Sequence, residues 1–234
     1  MIKASIVIPT FNEKNNIQPL LKEIFAAVQP FPNIDLEVII VDDNSPDETG
    51  QKAEEMSKLY PVRVIHRKEK LGLGSAVMEG FALSDRNYLG VMDGDLSHDP
   101  AIIPELIFSL ENYDIAIGSR FQESSHVNNW RLDRKIISNI GLMLAKLIIK
   151  TSDPLSGYFS LNRKVLTGFN LTSSGYKILL EILVKGNYSK INEIPFVFRS
   201  RGQGKSKLNY KEYLLFMKQV LCFSIKKIFH QKDR

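Results

Sequence analysis

Paired cysteines and long apolar runs are both missing from this sequence of 234 residues. The single cysteine, Cys222, excludes an intrachain disulfide and fits a reducing compartment. No stretch approaches the roughly 18 apolar residues that a membrane-spanning helix needs. The first apolar run ends at Pro9, too early for a signal peptide. We therefore expect a protein that is soluble or bound peripherally to a membrane.

Basic residues are scarce in the first half of the chain, and acidic residues are scarce in the second. Residues 1–119 carry 10 Lys and Arg against 19 Asp and Glu, whereas residues 120–234 carry 21 against 7. A basic half of this kind attracts phosphates, anionic lipid or nucleic acid. The asymmetry indicates two separate tasks within one chain.

Strand-like and helix-like segments alternate through the first half. Nearly continuous apolar runs at 36–41 and 88–92 are typical of parallel strands buried on both faces. Apolar residues at helical spacing lie between the strands, as in 17–28. The pattern predicts an α/β fold with a doubly wound, mostly parallel sheet flanked by helices.

Polar segments follow three of the predicted strands. They are PTFNE at 9–13, DDNS at 42–45 and DGD at 93–95. Ligands of open α/β sheets bind outside the carboxyl ends of the strands, where all three segments should meet. This convergence predicts a ligand site at that edge of the sheet.

Asp93 and Asp95 would repel each other unless a cation lies between or beside them. Mg²⁺ commonly binds one or two carboxylates together with substrate phosphate oxygens, so a metal and diphosphate site is one interpretation. An acidic surface turn is the other. Asp43 suits contact with a base or ribose, or equally a helix cap. Glu13 suits the same pocket, or the first turn of a helix.

The spacing of apolar residues in the second half predicts amphipathic helices over 131–150 and 209–229. Arg134 and Ser138 lie four residues apart on one face of the first helix, where they could hold a phosphate or simply face solvent. Either helix could lie in a membrane interface or pack in the core.

A glycine-rich basic loop, RSRGQGKSK at 199–207, precedes the second of these helices. Its Arg201 and Lys207 could grip a diphosphate and neutralise a leaving group, or remain solvated. The glycine spacing does not match a Walker A loop, so the loop does not indicate a P-loop nucleotidase.

Seven motifs occur in a characteristic order over about residues 3–210: SIVIPTFNE, VIIVDDNSPDETG, LGLGSAVMEGF, VMDGDLSHDP, AIGSRF, DPLSGYF and RGQGKSKL. Together they resemble the family 2 glycosyltransferases of GT-A fold, and among these the dolichyl- or polyprenyl-phosphate mannosyltransferases. Three positions depart from the commonest pattern. Phe11 replaces Tyr, Gly94 replaces Ala, and Ser97 stands where some members have a metal-coordinating Gln.

The resemblance implies a role for each matching position. The nucleotide-sugar pocket would contain Pro9, Phe11, Glu13, Val41, Asp43, Asp93, Gly94, Asp95, Arg120, Arg201 and Lys207. Asp93 and Asp95 would hold a divalent metal, Mg²⁺ or Mn²⁺. Catalysis would rest on Asp95, Arg120, Arg201 and Lys207, and the acceptor phosphate on Arg134 and Ser138.

The implied reaction transfers mannose from GDP-mannose to dolichyl or polyprenyl phosphate with inversion, at the cytoplasmic face of a membrane. A small membrane-anchoring subunit is an expected partner, and nucleic acid is not, because no basic–aromatic recognition motif is present. A UDP-sugar donor, or a non-catalytic membrane-associated binding subunit, are the alternatives. We expect a GT-A domain at 1–208, with a nucleotide-sugar half at 1–119 and an acceptor half at 120–208, followed by an amphipathic basic helix at 209–234.

Overall fold

A computed structural model describes residues 1–121, 126–127, 145–146, 149–171 and 177–199. The strands are β1 (Ile2–Thr10), β2 (Ile34–Asp42), β3 (Val62–His66), β4 (Tyr88–Val91), β5 (Ile115–Ser119), β6 (His126–Val127), β7 (Phe159–Asn162), β8 (Ile191–Pro195) and β9 (Val197–Phe198). The α-helices are α1 (Lys14–Val28), α2 (Thr49–Ser57), α3 (Leu73–Leu83), α4 (Ile103–Ser109) and α5 (Ile178–Lys185). Short 3₁₀ turns lie at Pro100–Ile102 and Arg163–Leu166.

Seven strands form one sheet in the order β3-β2-β1-β4-β7-β5-β8. Strand β7 runs antiparallel to both of its neighbours, and the other pairings in this sheet are parallel. The predicted doubly wound, mostly parallel sheet flanked by helices is confirmed. The antiparallel β7 was not predicted, because its four residues are too short to show a period of their own. Strands β6 and β9 pair separately.

The core lies on both faces of the sheet, as the continuous apolar runs predict. In β2, Val38 and Ile40 pack into one cluster with α1, α2 and α4, while Ile39 and Val41 pack into a second cluster with α3 and α5. Alternate side chains of a strand point to opposite faces, so one apolar run supplies both clusters. The helical stripe of α1 is buried as expected at Ile17, Leu20, Leu21, Ile24 and Val28.

The register of the parallel strands brings the predicted polar segments together. Strand β1 pairs with β2 up to Thr10 and Asp42, so the segments that follow both strands leave the sheet side by side. Strand β4 pairs with the other edge of β1 and ends at Val91, opposite Val7. The DGD segment therefore emerges next to the segment that follows β1.

Within the described ranges, no helix combines the length and apolar character needed to cross a bilayer. The predicted amphipathic helix at 131–150 lies largely outside the described residues, and the one at 209–229 lies wholly outside them.

Asp114 joins the start of β5 to the start of β8. Its carboxylate accepts hydrogen bonds from the Ser189 amide at 2.8 Å, the Lys190 amide at 3.0 Å and the Ser189 hydroxyl at 3.0 Å. Lys164 Nζ lies 2.8 Å from the other oxygen. Burial opposes ionisation of Asp114, yet Lys164 and the donors of residues 189 and 190 hold its pKa well below the usual value.

We expect Asp114→Asn to lower the free energy of unfolding by roughly 2 kcal/mol at pH 7, the scale of hydrogen bonds to a charged group. A depressed pKa stabilises the fold above the unfolded value of about 3.9, and this contribution is lost as the pH falls. The difference between wild type and variant should therefore shrink from pH 7 to pH 3 in urea titrations. Asp85→Asn is the matched control, because the Asp85 side chain is 86% exposed. A constant difference across this range would contradict the assignment.

Candidate active site

A cavity of about 200 Å³ opens at the carboxyl ends of β1, β2 and β4, where the sequence predicts a site. Residues from eight separate segments share its wall. They are Pro9, Thr10, Phe11, Glu13, Asp43, Lys70, Gly72, Leu73, Ala76, Val91, Asp93, Gly94, Asp95, His98, Arg120, Leu155, Gly157, Lys177, Ile178 and Phe198. All but one of the described residues assigned by the resemblance lie in this wall. The exception is Val41, whose side chain is fully buried in the core.

Asp43 holds the chain segment that forms one side of the cavity. One carboxylate oxygen accepts from Arg67 Nη1 at 2.9 Å and from the Leu71 amide at 3.0 Å. The other accepts from the Gly72 amide at 2.9 Å. Gly72 has φ 94°, a left-handed conformation that other residues rarely adopt. Asp43 therefore shapes the cavity wall through the segment 67–72.

Arg67 was not singled out by the sequence analysis, although it directly follows β3 at the same edge of the sheet. Its side chain is only 5% exposed, and its guanidinium also donates to the Gly72 carbonyl and the Ser75 hydroxyl. The pair with Asp43 is thus a buried ion pair with several further hydrogen bonds, the arrangement that such pairs need. The sequence signal that could have identified Arg67 is the basic run that follows the predicted strand.

Phe11 and Lys70 face each other at the rim of the same side. Lys70 Nζ lies 3.9 Å from the centre of the Phe11 ring, a cation–π contact. Glu13 lies nearby at the start of α1, where its carboxylate accepts from the Asn16 side chain at 2.6 Å. These three side chains form the mouth of the cavity beside Asp43.

The DGD segment follows β4 in a constrained turn. Asp95 is 5% exposed and accepts from the Ser97 amide at 3.0 Å, while the Asp93 side chain is 32% exposed. Leu96 has φ 65°, which is unusual for a residue with a side chain. The described part of the chain has no group of three or more His, Cys, Asp or Glu that could hold a metal. Two carboxylates still fit a Mg²⁺ ion that takes its other oxygen ligands from substrate phosphate and water.

His98 contacts this turn and fixes its backbone by a hydrogen bond. Its Nδ1 accepts from the Asp93 amide at 3.1 Å, and its ring stacks on Tyr158 at 4.8 Å between centroids. Burial lowers the pKa of His98, although the Asp93 and Asp95 carboxylates act in the opposite direction. Because Nδ1 accepts a hydrogen bond, the ring is neutral with its proton on Nε2. Nδ1 is therefore occupied and is not a metal ligand.

Arg120 follows β5 and is held by Asp153, a second residue that the sequence analysis did not single out. Nε and Nη2 of Arg120 donate to the two oxygens of Asp153 at 2.7 and 2.8 Å, and the Arg120 amide donates at 3.2 Å. Asp153 is fully buried. This bidentate pair orients the guanidinium in the cavity wall and balances much of its charge. Asp153 lies in the DPLSGYF motif, which was the signal for it.

Four predicted site residues lie outside the described part of the chain: Arg134 and Ser138 for the acceptor phosphate, and Arg201 and Lys207 in the glycine-rich loop. Ser97 lies within it, and its buried hydroxyl has no hydrogen-bond partner among the described residues.

Several known proteins are similar to this chain in sequence. The sequence pattern of Glycosyl transferase family 2 matches residues 5–169. The dolichol-phosphate mannosyltransferase of Pyrococcus furiosus is 42% identical over 94% of this chain, and this chain spans 63% of that protein's length. The dolichol-phosphate mannosyltransferase of Saccharomyces cerevisiae is 36% identical over 94% of this chain and 86% of its own.

Solved structures show the same fold at lower identity. A glucosyl-3-phosphoglycerate synthase from Mycobacterium tuberculosis, crystallised with Mn²⁺, UDP-glucose and phosphoglyceric acid, matches with a TM-score of 0.68 at 18% identity. The match covers 96% of this chain and 79% of that one. A mannosyl-3-phosphoglycerate synthase from Rubrobacter xylanophilus gives a TM-score of 0.62 at 13% identity, over 100% and 76% of the two chains. The expected GT-A architecture is thereby confirmed.

We expect Arg67→Gln to leave the Asp43 carboxylate buried without its cation and to lower the free energy of unfolding by about 3 kcal/mol. Hydrogen exchange at the Leu71 and Gly72 amides should also accelerate, because their acceptor is no longer held. Arg63→Gln is the control, since Arg63 is 43% exposed and lies 3.6 Å from Glu37. Unchanged exchange at both amides would show that Arg67 does not hold this segment.

Proposed function

Because the chain belongs to glycosyl transferase family 2, we propose that it transfers mannose from GDP-mannose to a dolichyl or polyprenyl phosphate. The observation that carries this proposal is the set of carboxylates in the described cavity wall. Asp43 is held by Arg67 and two amides, Glu13 is held by Asn16, and the remaining two form the DGD pair. A metal-binding pair of carboxylates suits an acceptor that is already anionic, because such an acceptor needs no strong general base.

A phosphate monoester has a second pKa near 6 and therefore needs no strong base to act as a nucleophile at neutral pH. Its oxygen would form a bond to the anomeric carbon as the bond from that carbon to the GDP β-phosphate oxygen breaks. A single displacement of this kind inverts the anomeric configuration. The names of the curated relatives at 42% and 36% identity support the same donor sugar and lipid.

Asp93 and Asp95 are the residues that would hold a divalent metal, Mg²⁺ or Mn²⁺. When bound, the metal would neutralise charge on the donor diphosphate. His98 fixes the backbone of Asp93, and the Ser97 amide orients the Asp95 carboxylate. The protein thus contributes two carboxylates whose positions are set before the donor binds.

The base and ribose would occupy the side of the cavity formed by Phe11, Glu13 and Asp43. Arg120, held by Asp153, would face the phosphates of the nucleotide sugar or of the acceptor. Because Asp153 balances much of its charge, the guanidinium would act there mainly as a hydrogen-bond donor of fixed orientation. We retain Arg201 and Lys207 as proposed contacts to the leaving diphosphate, and Arg134 and Ser138 as proposed contacts to the acceptor phosphate.

The excess of basic residues after position 119 supports a peripheral location at the anionic, cytoplasmic face of a membrane. The same proposal includes a small membrane-anchoring subunit. It also divides the chain into a nucleotide-sugar half up to residue 119, an acceptor half up to residue 208 and a final basic helix.

We expect Asp95→Ala to reduce kcat at least 10²-fold, because the remaining carboxylate cannot hold the metal and diphosphate alone. Turnover is measured with radiolabelled GDP-mannose, farnesyl phosphate and Mg²⁺ or Mn²⁺. Asp85→Ala is the matched control, since Asp85 is exposed and distant from the cavity wall. Full activity of the Asp95 variant would refute the metal role.

A donor panel tests the sugar and the base. GDP-mannose should give a mannosyl-phosphate lipid, identified by mass spectrometry, at a rate at least tenfold above UDP-glucose. A preference for UDP-glucose would replace the donor in this proposal while leaving the phosphate acceptor in place.

A further inference from the structure

Lys177 is a cation in the cavity wall to which neither the sequence motifs nor the proposed donor site gives a role. It directly precedes α5, and its Nζ donates to the Leu155 carbonyl at 3.1 Å. Among the described residues, the other cations of the wall are Lys70, over Phe11, and Arg120, on Asp153. Lys177 thus marks a third, separate region of the cavity.

The turn that contains Leu155 lies between Lys177 and the carboxylate pair of the DGD segment. Two residues later, Gly157 lies against Asp93, where an added Cβ would come within 3.3 Å of Asp93 Oδ1. One short turn therefore touches Lys177 at one end and the DGD carboxylate at the other. A ligand beside Lys177 lies next to the diphosphate region without occupying it.

The wall beside Lys177 is apolar. Leu73 and Ala76 come from the start of α3, and Ile178 comes from the start of α5. Ala76 and Ile178 belong to one core cluster, with Leu73 packed against it, and the three side chains supply an apolar surface in the cavity wall. Leu155 completes the surface on the side of Lys177.

A cation at the edge of an apolar surface suits a ligand that carries an anion at the end of a hydrocarbon. The start of α5 adds positive potential, because a helix has a partial positive charge at its N-terminus. The acidic residue of its first turn, Glu181, is buried and pairs with Lys185, which offsets its charge. Electrostatics and apolar area thus favour the same ligand class.

We propose that Lys177 binds the phosphate of the lipid acceptor, and that Leu73, Ala76, Leu155 and Ile178 receive its first isoprene unit. This inference rests on the proposed transferase function. It assigns the reacting end of the acceptor to the part of the cavity wall formed by the start of α5 and the Leu155–Gly157 turn, so that the acceptor phosphate meets the donor sugar over that turn. Because the phosphate nucleophile is already ionised, it needs no general base. The positive charge of Lys177 orients it instead.

The test separates acceptor binding from donor binding. Lys177→Gln should raise the KM for farnesyl phosphate at least tenfold, while the calorimetric Kd for GDP-mannose stays within twofold of wild type. Lys177→Arg should recover most of the acceptor affinity, because it restores the charge. Lys58→Gln, which removes an exposed lysine outside the cavity wall, should change neither constant.

The apolar surface is tested with two acceptors of different length. Ile178→Ala should raise the KM for dimethylallyl phosphate, which has one isoprene unit, and for farnesyl phosphate by the same factor. An effect confined to farnesyl phosphate would overturn the apolar part of the proposal. An unchanged acceptor KM in Lys177→Gln, or an equal loss of GDP-mannose affinity, would overturn the role of Lys177. If wild type transfers no sugar to any prenyl phosphate, the proposed function itself fails.

Discussion

The antiparallel pairing of β7 joins the two parts of the sheet, and the site depends on that junction. Phe159 pairs with Val91 on β4 and with Ile117 on β5. The turn that enters β7 therefore lies between the segments that follow β4 and β5. Asp153 reaches Arg120 on one side, and Gly157 lies against Asp93 on the other. Without this strand, the acidic half and the following half would not share a cavity.

Buried arginine–carboxylate pairs flank the cavity on two sides. Asp43–Arg67 holds the segment before α3, and Asp153–Arg120 holds the end of β5 near the turn. Removing charges from water is costly, so such pairs contribute little net stability, and their value is the geometry that they impose. Both pairs fix backbone amides as well as side chains, so the wall is set before a ligand binds.

Aromatic packing completes the support beneath the DGD turn. His98 stacks on Tyr158, and the rings of Phe196 and Phe198 meet its edges at 5.6 and 5.8 Å. These rings come from three different segments. Their contacts exclude water from His98 and so favour its neutral form. A neutral imidazole can accept the Asp93 amide, which a protonated ring cannot. The position of the Asp93 backbone thus depends on rings from distant parts of the chain, those of Tyr158, Phe196 and Phe198.

The sequence by itself determined the α/β class, the three polar segments at the strand ends, the acidic pair and the family, because strand runs, helical stripes and short motifs are local patterns. Only the tertiary structure decided which residues support them. Arg67 meets Asp43 from 24 positions away, and Asp153 meets Arg120 from 33 positions away. No local period encodes such contacts, since they arise from strand order and register. The same holds for Lys177, whose place in the cavity follows from the position of α5 on the same face of the sheet as α3.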